Sequence, residues 1–203
     1  MSKKPSIAAL ILAAGASTRL GRPKQLIERN GRTLLRNAAE AAQGGGCAPV
    51  VVVLGARVAR MRRELTGLDV RVLAHRGWRE GLGTSIAHGA TELLRGDPPD
   101  AVMLLLCDQP RLSAGIVRRL CAEWRRAFRI RGVPMAACEY AGTLGPPAIF
   151  SREELPRLSG LRGDRGAKTL LLEAADRVVR VMWEDGAIDV DHPGDCTGRT
   201  PEL

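Results

Sequence analysis

Aromatic residues make up only 3% of the 203 positions, so a core has to be built from Ala, Val, Leu and Ile. The same scarcity argues against nucleic acid as a partner, because no basic run carries the interleaved aromatics on which bases stack. Cysteine gives no framework either. Cys47, Cys107, Cys121, Cys138 and Cys196 are odd in number and hold no Cys-x-x-Cys pair. They read as free thiols of a reducing compartment, packed mostly as small hydrophobes. The histidines, His75, His88 and His192, have no zinc-ligand spacing, and no Ser-His-Asp order with a strained nucleophile turn is present. Covalent catalysis is therefore disfavoured. No apolar run reaches the roughly 18 residues of a membrane span. The run after Lys3-Lys4 lacks a signal cleavage site. The expectation is a cytoplasmic protein with no membrane partner.

What remains is an ordinary globular composition, 45% hydrophobic and 26% charged, of a length that suits a single domain over 1–203. The 31 Lys and Arg against 22 Asp and Glu give +9, which suits anionic partners such as small phosphorylated substrates. The cations are spread along the chain, and pairs such as Arg118-Arg119 and Arg125-Arg126 read as solvated helix faces; an excess of Arg over Lys is also what a GC-rich genome produces.

Ile7 to Ala14 is a short, unbroken apolar run, the pattern of a strand buried on both faces. Gly15, Ser17, Thr18, Arg19, Gly21, Arg22 and Lys24 follow at once. Such a loop brings backbone N–H groups and fixed charge to phosphates. It is not a Walker loop, since five residues separate Gly15 from Gly21 and Lys24 does not follow the glycine directly. Ser17 also breaks the dinucleotide fingerprint.

Further along, the pattern predicts helices over 34–43, 58–65, 84–94 (capped by Thr84 or Ser85), 113–128 (capped by Ser113), 152–158 and 167–175. It predicts strands over 48–54, 70–73, 101–107, 134–138 and 148–150, with 178–182 and 188–190 as a closing hairpin. The alternation gives an α/β fold: a doubly wound, mostly parallel sheet with helices on both faces and a small β element near the C-terminus.

Asp108 follows a buried strand directly, on the edge where open α/β sheets bind ligands, and reads as a Mg²⁺ ligand or as a cap for the next helix. Asp189 and Asp191 point the same way along a strand and read as metal-facing carboxylates or as an acidic surface turn. Gly81 to Ser85 is a glycine-rich helix start that either meets a nucleotide or simply caps. Arg165 and Lys168 either bind an anion or start a solvated helix.

The stretch Leu-Ala-Ala-Gly-x-Ser-x-Arg-Leu-Gly-x-Pro-Lys, at Leu12 to Lys24, resembles the opening motif of the MobA-like NTP transferase family (fold of the nucleotide-diphospho-sugar transferases), in particular its CTP:molybdopterin cytidylyltransferase branch. Cys107-Asp108-Gln109-Pro110 is similar to that family's metal motif, and Asp189-Val190-Asp191-His192-Pro193 to its Asp-x-Asp-Thr-Pro segment, with His192 in place of Thr. Trp78 to Ser85 looks like the segment beside the base and sugar; Gly142 to Phe150 and Gly163 to Lys168 look like those near the acceptor. Pro146 departs from the usual His or Asn, which leaves the acceptor open.

The resemblance implies CMP transfer from CTP to the terminal phosphate of molybdopterin, with Mg²⁺ (or Mn²⁺) and release of pyrophosphate. It implies catalytic roles for Arg19, Lys24 and Asp108. Nucleotide contacts fall to Leu12, Ala13, Ala14, Gly15, Ala16, Ser17, Gly83 and Ser85 as well. Asp108 and Asp191 are the implied metal ligands, and Pro147, Arg165 and Lys168 the acceptor contacts. Ala14, where the guanylyl branch has Gly, favours CTP over GTP. A sugar 1-phosphate acceptor and a non-catalytic molybdopterin carrier for a molybdenum-containing oxidoreductase are the alternatives. The expected state is a monomer or weak dimer.

Overall fold

The computed structural model describes residues 4–17 and 20–188. In chain order its strands are β1 (Ile7–Ala13), β2 (Glu28–Arg29), β3 (Arg32–Thr33), β4 (Val50–Leu54), β5 (Arg71–Ala74), β6 (Ala101–Leu106), β7 (Met135–Tyr140), β8 (Thr143–Ser151) and β9 (Val178–Met182). The helices are α1 (Leu34–Gly44), α2 (Val58–Glu64), α3 (Leu82–Leu94), α4 (Ala114–Arg131), α5 (Leu155–Ser159) and α6 (Lys168–Glu173).

β1 is buried along its whole length, and its two-residue period feeds two cores. Ile7, Ala9, Ile11 and Ala13 pack with Leu35 and Ala39 of α1 and with Leu120 and Trp124 of α4. Ala8, Leu10 and Leu12 pack with Ile86 and Ala90 of α3, Leu158 of α5 and Leu171 of α6. Each Ile and Leu among them contributes about 1.5–3 kcal/mol on burial, and each Ala about 1 kcal/mol or less. Both faces of the sheet are therefore covered, as a continuous apolar strand requires.

The sheet order is β5-β4-β1-β6-β8-β7-β9. β1 runs parallel to β4 on one side and to β6 on the other, and β8 is antiparallel to both β6 and β7. The chain winds outward from β1 through β4 to β5, then crosses to β6. The order thus reverses at β1, and the carboxyl ends of β1 and β6 flank the crevice where open α/β sheets bind ligands.

The doubly wound expectation is met, with local corrections. α3 starts at Leu82, not at a Thr84 or Ser85 cap. Gly81 stands at the cap position with φ 116°, a conformation open to glycine, and Thr84 Oγ1 donates to its carbonyl at 2.8 Å from inside the first turn. Ser113 stands at the N-cap of α4 but its side chain makes no capping bond. The strand predicted over 148–150 extends to Thr143–Ser151, because Ala141 and Gly142, both at positive φ, turn it back on β7 as a hairpin. Asn30-Gly31, at φ 52° and 73°, makes a second tight hairpin that the sequence reading passed over. The closing hairpin is not formed by the described residues: β9 pairs in parallel with the open edge of β7, a 3₁₀ turn at Glu184–Ala187 follows, and Ile188 is not in a strand. Asp189 and Val190 lie outside the described residues.

Candidate active site

A cavity of about 730 Å³ opens over the carboxyl ends of β1 and β6. Leu12, Ala13, Ala14, Gly15, Ala16 and Ser17 form one wall, with Lys24 and Gln25 beside them. Cys107 and Asp108, at the end of β6, form the floor; Trp78, Arg79, Gly81, Leu82 and Ser85 close the far side, and Asp164 reaches in from a later loop. The topology thus brings together residues more than 80 positions apart in sequence.

The loop after β1 is held from within. Gln25 is 2% exposed, and its Nε2 donates to Ala13 O at 3.1 Å and to Gly15 O at 2.7 Å. Ser17 Oγ donates to Gln25 Oε1 at 3.4 Å and accepts from the Lys24 N–H at 3.0 Å. Ser17 itself has φ 55°, a left-handed conformation that an L side chain adopts at a cost. With these carbonyls engaged by Gln25, the loop keeps the tight curl that lines the cavity. Arg19 lies outside the described residues.

Lys24 Nζ sits 2.7 Å from Asp108 Oδ2, with both side chains largely covered. Asp108 Oδ1 is buried with no hydrogen-bond partner among the described residues. A carboxylate oxygen without a partner among the described residues, on a residue that lines the cavity, fits a hard cation that takes oxygen ligands. The described residues contain no cluster of three or more His, Cys, Asp and Glu able to hold a metal. A carboxylate with one oxygen left over fits Mg²⁺, which takes one or two carboxylates plus water and phosphate oxygens. Asp191, the second expected ligand, lies outside the described residues. Burial, reinforced by the charge of Asp108, holds the Cys107 thiol far above its ordinary range. Cys107 is therefore a packed, protonated thiol and no nucleophile.

The far wall is set by close packing. A Cβ on Gly55 would lie 2.4 Å from Trp78 Cγ, so only glycine lets the indole lie against the strand end. The Arg79 guanidinium stacks on that indole, 4.5 Å from its centroid. Ser85 is buried and lines the cavity, whereas Gly83 is not part of the lining. Its N–H donates to Gly163 O at 2.8 Å, and a Cβ there would lie 2.6 Å from Arg165 O. Gly81 is equally close to Gly163 and Asp164. The helix start thus docks on the loop that carries Arg165 and leads into α6 at Lys168; the side chains of both are exposed and outside the cavity lining.

On the other side of Asp108, the β7–β8 register shifts after Ala137, so that Pro146 and Pro147 bulge out of the ladder. Pairing of Leu104 with Ala148 places Pro147 level with the carboxyl end of β6, next to the Asp108 edge. Gln109, 2% exposed, donates from Nε2 to Pro146 O at 3.0 Å and to Gly186 O at 3.2 Å. Gln25, Gln109, Trp78, Arg79 and Asp164 are site residues that composition and periodicity do not mark. Motif resemblance does cover Trp78, Arg79, Gln109 and Asp164, within 78–85, 107–110 and 163–168; for Gln25 the signal is only that it directly follows Lys24.

Known proteins share this fold. The profile of the MobA-like NTP transferase domain matches residues 9–178. A protein named nicotine blue oxidoreductase, from Paenarthrobacter nicotinovorans, is 33% identical over 82% of both chains. The purine catabolism protein PucB of Bacillus subtilis is 27% identical over 94% of both. Among solved structures, Rv0371c of Mycobacterium tuberculosis H37Rv superposes with a TM-score of 0.77 at 27% identity over 96% of both chains. A manganese complex of the same protein gives 0.72 at 26%, covering 94% of this chain and 95% of that one. On the strength of the matched domain and the strand-end cavity it encloses, the chain belongs to the MobA-like NTP transferase family.

Proposed function

We propose that this protein transfers CMP from CTP to the terminal phosphate of molybdopterin, with release of pyrophosphate. The observation that carries the reading is the Lys24–Asp108 pair at 2.7 Å, a cation and a carboxylate set side by side at the strand-end crevice. The acceptor phosphate attacks the α-phosphorus in line. Positioning and charge neutralisation do most of the work, since phosphoryl chemistry asks little covalent help of the protein. Lys24 turns from Asp108 to the α-phosphate as charge develops there. Gly15 to Ser17 present backbone N–H groups to the phosphates, and Arg19 holds the leaving β- and γ-phosphates. Leu12, Ala13 and Ala14, with Trp78 opposite, line the base pocket. Asp108 and Asp191 would hold Mg²⁺ on this reading, and the ion would supply charge neutralisation to the substrate phosphates. On this reading Pro147, level with the carboxyl end of β6, lies toward the acceptor, while Arg165 and Lys168, outside the cavity lining, meet it only at the rim.

The test is pyrophosphate release with Mg²⁺, purified molybdopterin and each of the four NTPs in turn. Release with CTP alone is expected. Release with GTP keeps the reaction and overturns the reading of Ala14. Release only with a sugar 1-phosphate replaces the acceptor. Molybdopterin bound and handed to a molybdenum-containing oxidoreductase without turnover marks a carrier. A second reading rests on one observation, the relative named an oxidoreductase. Consumption of a reduced nicotinamide, with no pyrophosphate from any NTP, decides for it.

A further inference from the structure

Two glutamines occupy matching places. Gln25 follows Lys24, and Gln109 follows Asp108, the two partners of the central ion pair. Both are 2% exposed. In each, one amide nitrogen donates to two backbone carbonyls of different residues: Ala13 and Gly15 for Gln25, Pro146 and Gly186 for Gln109. Turned over, either amide would set an oxygen against two carbonyl oxygens, so the hydrogen bonds fix the orientation. Gln25 Oε1 accepts from Ser17 Oγ, whereas Gln109 Oε1 has no partner among the described residues, so what each glutamine contributes is its donor, and losing it takes a partner from two carbonyls.

The two clamps pull on different walls. Gln25 holds the loop that meets the nucleotide. Gln109 ties the Asp108 turn to the Pro146–Pro147 bulge and to the 3₁₀ turn at Glu184–Ala187. Tyr140 Oη donates to the same Pro146 carbonyl at 2.9 Å, and Arg111 pairs with Asp185 across the same junction. The chain then leads on toward Asp191.

We propose that Gln25 and Gln109 are paired positioning residues, Gln25 setting the nucleotide side of the Lys24–Asp108 pair and Gln109 its acceptor side. The proposal rests on the nucleotidyl-transfer reading above. A purely structural role for either glutamine would loosen both sides together; the two-clamp role separates them.

The experiment compares wild type, Gln25→Met and Gln109→Met, each close in volume and without donors. Three quantities are read: hydrogen exchange at 13–17 and at 183–188, CTP affinity with Mg²⁺ by calorimetry, and molybdopterin affinity by fluorescence. Gln25→Met is expected to speed exchange at 13–17 and weaken CTP about tenfold or more, with molybdopterin nearly unchanged. Gln109→Met is expected to speed exchange at 183–188 and weaken molybdopterin by a similar factor, with CTP nearly unchanged. If a Met variant does not fold, Ser17→Ala and Tyr140→Phe remove the second member of each clamp and carry the same expectations. Equal losses for both ligands, or none, overturn the proposal. A wild type that binds no nucleotide overturns the nucleotidyl-transfer reading itself and takes the proposal with it, whereas wild-type binding with unseparated variants sinks the proposal alone.

Discussion

Asp108 and Lys24 set the energetics of the site. Both side chains are largely covered, but Asp108→Asn keeps the shape and an oxygen for Lys24 Nζ, so its cost to stability is small, about 1 kcal/mol. Its cost to chemistry is expected to be much larger. Asp108→Asn should lower pyrophosphate release about 100-fold or more with an almost unchanged denaturation midpoint; a parallel fall in both would make Asp108 a structural residue. Lys24→Met releases Asp108 Oδ2 from its counter-charge. Mn²⁺ binding without nucleotide, followed by electron paramagnetic resonance, should then tighten about tenfold while turnover falls. Unchanged Mn²⁺ affinity would show that Lys24 and the cation do not compete for Asp108.

The entry to α3 is the element on which the far wall depends. Gly81 at φ 116° has no room for a Cβ, which would lie 2.3 Å from the Gly163 backbone. Gly81→Ala should cost at least about 1–3 kcal/mol in denaturant titration and weaken CTP binding, because the helix start must leave the 163–165 loop. The same entry is sensitive to pH. His75 bonds to Thr84 Oγ1 at 3.2 Å and stacks on His88, with ring centroids 4.9 Å apart. Burial first, and then the charge of His88, lower its pKa from the ordinary 6.5. The folded chain therefore takes up this proton less readily than the unfolded one, so stability falls as pH drops through 6.5 toward the lowered value and is flat above it. His75→Asn should flatten that part of the stability profile; an unchanged slope would assign it to other groups.

At the scale of the molecule, the charge of +9 and the position of Ala14 bear on which substrate is chosen and how fast it arrives. A basic protein steers polyanions, so kcat/KM for CTP should fall as ionic strength rises, with kcat almost constant. Ala14 is buried in the strand-end wall, where one methyl group narrows the pocket. Ala14→Gly should raise GTP use relative to CTP by about 10-fold or more, read as the ratio of kcat/KM values. An unchanged ratio would place base selection elsewhere, with the Trp78–Arg79 stack as the next group to alter.

The architecture was legible in the pattern of apolar runs and helical stretches. An eight-residue apolar run closed by Pro5 and Gly15 reads as a strand covered on both faces, and its repetition at 50–54 and 101–106, with helical stretches between, predicts a doubly wound sheet. The loop residues from Gly15 to Lys24 and the carboxylate of Asp108 were legible for the same local reason, since each directly follows a strand end. What local pattern could not give was anything set by contact across the fold. Whether 178–182 pairs back on itself or with the edge of β7 is decided by which edge lies open, and that depends on the whole strand order. The start of α3 at Gly81 is decided by the approach of Gly163, 82 positions away. Gln25 and Gln109 look like any polar residues in a chain; only the folded sheet buries them and supplies the carbonyls that make burial tolerable. The ion pair of Lys24 with Asp108 likewise exists only because β1 and β6 are neighbours in the sheet.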